Sequence, residues 1–399
     1  MQTQKTNCIY CSSLETKKAG KRKNKNQTLQ RYQCKSCNKT FALSQIKNKT
    51  YQAKIILSAI SYYNLGCTQE EVSKQIAKQY KVKPPQKTIS NWVKEHNAIC
   101  TFDKLRKQAI KLYKPKNIIF KQILSHIQPY TFKYHKAKLY LLFHNILYNN
   151  QFHNISHFYE PLKAYLEKIS TEQFPHHIFT YQKTSISSPD AEVDNDNNLN
   201  NESNNNATMV RDSTNESASS PDAGIAKNSN VVEIKSLQKR ASQIKFNHLK
   251  IEIKNKNNLA CKLAKLALNL ATTNKQRHEA LQDFFLINDS TTIATEVPIY
   301  LTNWDAGYYR NQNGFIFPLS SCKTPITGHI DILQIRNGLI HILDYKPYAE
   351  KINAIEQLTI YALALSRKLN LPLYCFKCAW FDESNYFEFF PLHAVYEKQ

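Results

Sequence analysis

Between Ser187 and Asn230 the chain runs through Asn, Ser, Asp and Glu with almost no aromatic or large aliphatic side chains, so no single hydrophobic core can continue from end to end. A segment of that composition cannot bury enough apolar surface to offset the entropy of ordering it. It reads as a disordered linker over 184–230, and its acids, Asp190, Glu192, Asp194 and Asp196, make it a poor surface for nucleic acid. A length of 399 residues already suggests more than one domain, and this stretch places one division.

The chain as a whole is strongly basic. Its 54 lysines and arginines against 31 acids give a formal net charge of +23, which favours a polyanionic partner because basic clusters displace counterions from phosphates. Twelve of those basic residues fall in the first fifty positions beside a single acid, Glu15. Met1 to Lys25 lacks the apolar region of a secretory leader. The longest apolar runs, Ala137 to Leu147 and Leu259 to Ala271, are broken by lysine or histidine and fall short of a membrane span. The expectation is an intracellular protein, cytoplasmic or nucleoid-associated, with no membrane contact.

Ten cysteines in such a chain are better explained by metal ligation and buried thiols than by a disulfide framework. Cys8, Cys11, Cys34 and Cys37 form two Cys-x2-Cys pairs with 22 residues between them, the spacing of a tetrahedral four-cysteine zinc site. Each pair sets two thiolates on one tight turn. Zn2+ then ties together turns that a segment over 1–48, poor in apolar residues, could not otherwise hold. The stretch from Arg31 to Phe41 resembles the zinc ribbons at the N-termini of bacterial and archaeal insertion-sequence transposases. That resemblance implies a ribbon that helps hold DNA beside a helix-turn-helix.

Residues 51–98 have the pattern of such a helix-turn-helix. A helix fits Ala53 to Tyr63, Gly66 follows, Thr68 to Glu71 makes a capping box, and a second helix runs to about Tyr80. After a loop with Pro84 and Pro85, Thr88 to His96 would be the recognition helix, with Ile89, Trp92 and Val93 inward. Lys87, Ser90, Asn91 and Lys94 would then face phosphates or base edges. From 99 to 183 the pattern stays largely helical, rich in aromatics and histidines, with no motif and no assignable role.

Residues 231–399 read as mixed α/β. A helix fits Leu259 to about Thr272, and strands fit Thr292 to Leu301, His329 to Ile335 and Leu339 to Asp344. A helix from Ile355 to Leu369 and a strand pair from Leu373 to Phe390 complete it. Asp331 and Asp344 lie thirteen residues apart with Gly338 between them as a turn, so a hairpin would bring both carboxylates to one end. Two carboxylates and a backbone carbonyl suit Mg2+ or Mn2+, which can neutralise a phosphoryl group and activate a water. Lys346 falls on the same strand face as Asp344, placed to orient that water and stabilise developing charge.

With these residues the segment resembles the PD-(D/E)XK nuclease superfamily, and within it the RecB-like branch. Gln357 to Tyr361 matches that branch's Gln-x3-Tyr helix, and His278, at the C-terminal side of the first helix, occupies the place of its metal-binding histidine. Thr295 to Ile299 looks like the strand before the aspartates. The resemblance covers about 130 residues, from Leu259 to Pro391. It implies a restriction-endonuclease-like core with a mixed sheet flanked by helices. It also implies His278, Asp331 and Asp344 as metal ligands together with the Tyr345 carbonyl, Lys346 as catalytic, and Gln357 and Tyr361 at the active site or against DNA. Glu296 takes a supporting role. Some relatives hold an iron-sulfur cluster, but Cys375 and Cys378 with Cys261 fall one short of the four ligands required, so buried thiols are expected there.

The expected protein is therefore multidomain: a four-cysteine zinc ribbon, an all-α helix-turn-helix, a helical region, a linker and a metal-dependent DNA nuclease, set in a mobile element, genome defence or DNA recombination and repair. Two other readings stand beside it. One is a non-enzymatic DNA-binding regulator with an inactive nuclease fold. The other is a transposase-related protein using three carboxylates, the third far downstream, with no role for Lys346.

Overall fold

The computed structural model describes residues 7–24, 27–42, 51–125, 129–143, 156–169, 239–249, 251–256, 258–271, 273, 276–315 and 325–396. The linker expected over 184–230 lies outside them. Among the described residues, no helix is long and apolar enough to cross a membrane.

A small antiparallel sheet of β1 (Thr16–Asn24), β2 (Gln27–Cys34) and β3 (Thr40–Ala42) opens the chain. Its core is slight: Cys8, Cys34 and Phe41 are buried, Tyr32 stacks on Phe41, and Tyr10 meets it edge-on. Burial on that scale does not hold a fold by itself. Next come α1 (Ala53–Asn64), α2 (Gln69–Tyr80) and α3 (Gln86–His96). Thr68 and Glu71 close the capping box at the head of α2, each side chain accepting the other's backbone N–H. On α3, Ile89, Trp92 and Val93 are buried, Lys87, Asn91 and Lys94 are exposed, and Ser90 is half-buried.

After α4 (Asp103–Leu112) the structure departs from the helical expectation for 99–183. Two antiparallel strands, β4 (Ile119–Ser125) and β5 (Pro129–His135), pair there and join the main sheet. Tyr130, Phe132 and Tyr134 recur with period two, a strand signal that the helical reading of this aromatic-rich region passes over. Helices α5 (Lys136–Phe143) and α6 (Ser156–Ile169) follow.

The remaining elements are β6 (Lys239–Arg240), β7 (Lys254–Asn255), α7 (Leu259–Ala267), α8 (Arg277–Asn288), β8 (Thr292–Leu301), α9 (Asn303–Asn313), β9 (Ile326–Arg336), β10 (Leu339–Tyr345), α10 (Ile355–Leu369), β11 (Phe376–Phe381), β12 (Tyr386–Phe389) and α11 (Leu392–Val395). The main sheet runs β4-β5-β8-β9-β10-β11-β12-β7, with β6 beside β9. It is mixed. β10 and β11 are parallel, joined by the crossover helix α10, and β6 is parallel to β9. β9 and β10 turn through Asn337 and Gly338, both at positive φ (51° and 74°), the backbone that a two-residue hairpin loop requires.

Helices cover both faces. Ile330, Leu333, Ile335, Ile340 and Ile342 pack in one core with residues of α6 and α10. Ile332, Leu343, Tyr345 and Phe381 pack in another with α7, α8 and the three helices α1 to α3. Helices α1 to α3 are therefore not held at a distance by a tether. They share a core with the sheet's helices, and Asn64 donates to Asn288 Oδ1 (2.8 Å) while Asn288 donates to Ser61 Oγ (2.9 Å), a polar lock in that buried contact. Sequence periodicity shows which face of a helix is apolar but not which partner covers it.

One feature of the sheet positions the site. β9 pairs with β10 from Leu339↔Arg336 only as far as Leu343↔Ile332, and β6 then takes that edge of β9 at Ile326 and Thr327. β10 instead continues beside β11 to Tyr345↔Phe381. The sheet forks there, and Asp331 and Asp344 stand at the fork.

Candidate active site

Four strands and two helices supply the side chains around the fork. Asp331 comes from β9 and Asp344 from β10, each one residue beyond the last paired positions of the two strands, Ile332 and Leu343. The two carboxylates lie close enough for the charge of one to act on the other, and Asp331 Oδ2 accepts from the Tyr345 N–H at 3.4 Å. Burial, then the charge of Asp344, push the Asp331 carboxyl well above the ordinary carboxylate range, with Glu296 adding to the effect and Lys346 opposing it. Lys346 Nζ lies 2.8 Å from Asp344 Oδ2, as the period-two spacing predicts. That oxygen is buried and has the ion pair but no hydrogen bond.

His278 Nδ1 sits 3.5 Å from Asp331 Oδ2, and its ring meets Tyr345 edge-on. It does not lie at the end of the helix beginning at Leu259. That helix stops at Ala267, and His278 opens the separate helix α8. Burial lowers its pKa, with Lys346 and Arg277 adding and Asp344 opposing, so the imidazole is neutral near pH 7 and has a lone pair to offer. The Tyr345 side chain points away, its hydroxyl donating to Glu383 at 2.9 Å, which leaves only its main chain for the site.

From the first turns of α10, Gln357 Nε2 donates to the Tyr361 hydroxyl at 2.9 Å. Tyr361 is buried against Gly328, where an added Cβ would stand 2.5 Å from its Cε1. Burial, then the charge of Asp344, push the tyrosine hydroxyl's pKa up. Glu296 is held in the left-handed region (φ 53°) on β8, opposite Asp331 between the pairs Thr295↔Ile332 and Val297↔Ile330. A non-glycine residue in that region inside a strand is strained, and such strain gathers at functional positions. Burial raises its pKa; a hydrogen bond from Gln282 at 2.6 Å and the charge of Lys133 oppose.

Several neighbours carry no sequence motif. His329, two residues before Asp331, approaches Glu296 Oε2 at 3.6 Å and stacks on Tyr130 of β5 with ring centroids 3.7 Å apart. Buried Lys133, also on β5, pairs with Asp283 at 2.7 Å. Gln282 could have been found from its position four residues after His278 on one helix face. Tyr130 and Lys133 had no such signal, because they reach the site through strand pairing.

The four N-terminal cysteines also converge. Their sulfur atoms all lie within 4.8 Å of one another, with Cys8 to Cys37 at 3.6 Å and Cys11 to Cys34 at 3.5 Å, near the roughly 3.8 Å edge of a zinc-thiolate tetrahedron. The Tyr10 N–H donates to Cys8 Sγ at 3.4 Å, and the Cys37 N–H is the main cause that lowers the pKa of Cys34. These residues form a possible four-cysteine zinc site. Among the described residues, no second group of three or more cysteine, histidine or carboxylate side chains is gathered as tightly. Cys375 and Cys378 are buried thiols raised in pKa by that burial, and Cys378 donates to the Leu358 carbonyl at 3.4 Å.

No family model, curated protein or solved structure matches the chain.

Proposed function

We propose that the chain is a metal-dependent deoxyribonuclease whose Asp331 and Asp344 hold Mg2+ or Mn2+. The observation that carries this reading is the pair of carboxylates at the fork with Lys346 on one of them. Two carboxylates set together at one point of the sheet repel one another when charged, a repulsion that a divalent cation would relieve beyond what Lys346 supplies, and Asp344 Oδ2 is buried with that ion pair but no hydrogen bond. The donor set of two carboxylates, a neutral His278 and the Tyr345 carbonyl fits a hard divalent ion with positions left for water. Such an ion lowers the pKa of a bound water and neutralises the phosphoryl oxygens. Lys346, 26% exposed, can place a proton donor or a positive charge beside the attacking oxygen. Tyr361 and Gln357 close the other wall of the site against Gly328.

A transposase-like triad would put the third acid far downstream and leave Lys346 idle. Here the third acid near the site, Glu296, is upstream, and Lys346 contacts Asp344, which favours the nuclease reading. DNA is the proposed substrate because the zinc cluster and α3, with Lys87, Ser90, Asn91 and Lys94, offer a basic surface on the same chain. The setting proposed is that of a mobile element, genome defence or recombination. The test is incubation of the full-length protein with end-labelled linear and closed-circular DNA in Mg2+ or Mn2+. Cleavage of either substrate is expected, and the product pattern distinguishes endonuclease from exonuclease action. Absence of cleavage under both metals would sink the reading.

A further inference from the structure

At the fork lies a half-open pocket of about 180 Å3 whose lining includes Arg240, Ser242, Glu296, Thr327, Asp331 and Tyr361. Its polar groups divide into two sets. The acids are partnered: Glu296 with Gln282 and His329, Asp331 with His278 and the Tyr345 N–H. Thr327 is not, and Arg240, exposed to solvent and touching the turn at Gln243, has no acid on it. Arg240 lines the same pocket as two carboxylates and forms an ion pair with neither, nor with any other described residue. Thr327 is 4% exposed, and its Oγ1 has no hydrogen-bond partner. The two are direct neighbours, since β6 pairs with β9 at Arg240↔Thr327. Ser242 adds a second hydroxyl to the lining two residues on.

A buried hydroxyl without a partner destabilises the fold, and a native chain that keeps one beside a solvent-exposed guanidinium that holds no acid has the donors of an anion site open to solvent. We propose that Arg240, Ser242 and Thr327 form a phosphate-binding subsite next to the carboxylates, taking a phosphoryl group of the nucleic-acid strand adjoining the one that is cut. The planar guanidinium matches two phosphoryl oxygens at once, and each hydroxyl can donate to one. Glu296 and Asp331 on the same wall keep the anion on the Arg240 side unless a divalent cation lies between them. A contact of this kind fixes the strand's register without reading bases, so cutting would be indifferent to sequence at the site itself. This inference rests on the nuclease reading for the identity of the anion, not for the existence of the subsite.

The test uses binding without cleavage. Full-length protein with zinc present and no other divalent metal is titrated with inorganic phosphate, thymidine 5′-monophosphate and the dinucleotide d(TpT), read by calorimetry and by phosphorus NMR line broadening. Saturable binding of at least one is expected. Arg240→Met should weaken it about tenfold, the loss of one charge-assisted pair. Thr327→Val removes a hydroxyl bonded to nothing in the chain, so it should weaken binding about threefold with no fall in melting temperature. Preference for the two monoesters marks a strand end, and preference for d(TpT) marks an internal phosphodiester; both support the subsite. No saturable binding by the wild type, or equal binding by wild type, Arg240→Met and Thr327→Val, overturns it. Because nothing is cut, a protein that binds phosphate through Arg240 yet never cleaves DNA would lose the nuclease reading and keep the subsite, and the opposite result would do the reverse.

Discussion

Asp331 is the carboxylate with the most to gain from a cation. Its pKa in the folded chain lies well above that of an unfolded aspartate, about 3.9. A carboxyl shifted in that direction binds its proton more tightly when folded, so its contribution to stability falls as pH rises from the unfolded value through the folded one. Below both values it costs nothing, and above both the full cost is present. Asp331→Asn should therefore raise the melting temperature at pH 7 in the absence of divalent metal and change it little near pH 3, by calorimetry. Added Mg2+ or Mn2+ should stabilise the wild type and leave the variant unmoved, because the cation removes the same cost. At Gly328, the close approach of Tyr361 leaves no room for a methyl group. Gly328→Ala should displace that ring, destabilise the protein by about 1–3 kcal/mol in urea denaturation and slow cleavage more than it weakens DNA binding. Asp331, Asp344 and Lys346 were legible in the sequence because their juxtaposition needs only a short hairpin and period-two alternation. Arg240, Glu296 with its left-handed backbone, and Tyr130 behind His329 were not placed together by any local pattern. They meet through strands far apart in the chain.

At the scale of elements, the strand pair β4–β5 is the part that sequence reading missed and the site depends on. It supplies Tyr130 and Lys133, and it is anchored by the residue that starts the next turn of chain. Lys138, fully buried on α5, donates to the carbonyls of Leu286 (2.6 Å) and Thr292 (2.8 Å) and to that of Asp289, joining the end of α8 to the start of β8. Three N–H groups meet three carbonyl acceptors, so the donors of the ammonium are satisfied, while burial lowers its pKa to about 7 and the charge of Asp289 opposes that fall. Lys138→Met would leave those carbonyls without their donor. A loss of about 3 kcal/mol is expected in chemical denaturation, with hydrogen exchange at the β5–β8 pairing accelerated ahead of the β10–β11 pairing. Equal acceleration across the sheet would show that Lys138 supports the whole core rather than this junction. The strands β8 to β12 and helix α10 fell close to where alternation and helical period put them. What periodicity could not give was the order of pairing, and hence the fork.

For the molecule as a whole, α1 to α3 do not form a module apart from the sheet but share the buried cluster on one of its faces with α7 and α8. The exposed side of α3 is then fixed relative to the fork rather than free to search. The small N-terminal sheet is different, since its buried residues form a cluster of their own around the cysteines. Zinc removal by a chelator should unfold that sheet and weaken DNA binding while the main melting transition stays in place, and Cys34→Ser should lower bound zinc below one per chain. A chelator that melts the entire protein would show instead that the ribbon is integral to the core. The role of the carboxylates at the fork is read out by single-turnover cleavage of DNA in Mn2+ by the wild type, Asp344→Asn and Lys346→Ala. Cleavage by the wild type is expected, with rates at least about 100-fold lower for both variants and DNA affinity unchanged. Equal rates for all three proteins, or no cleavage by any of them, would contradict that role.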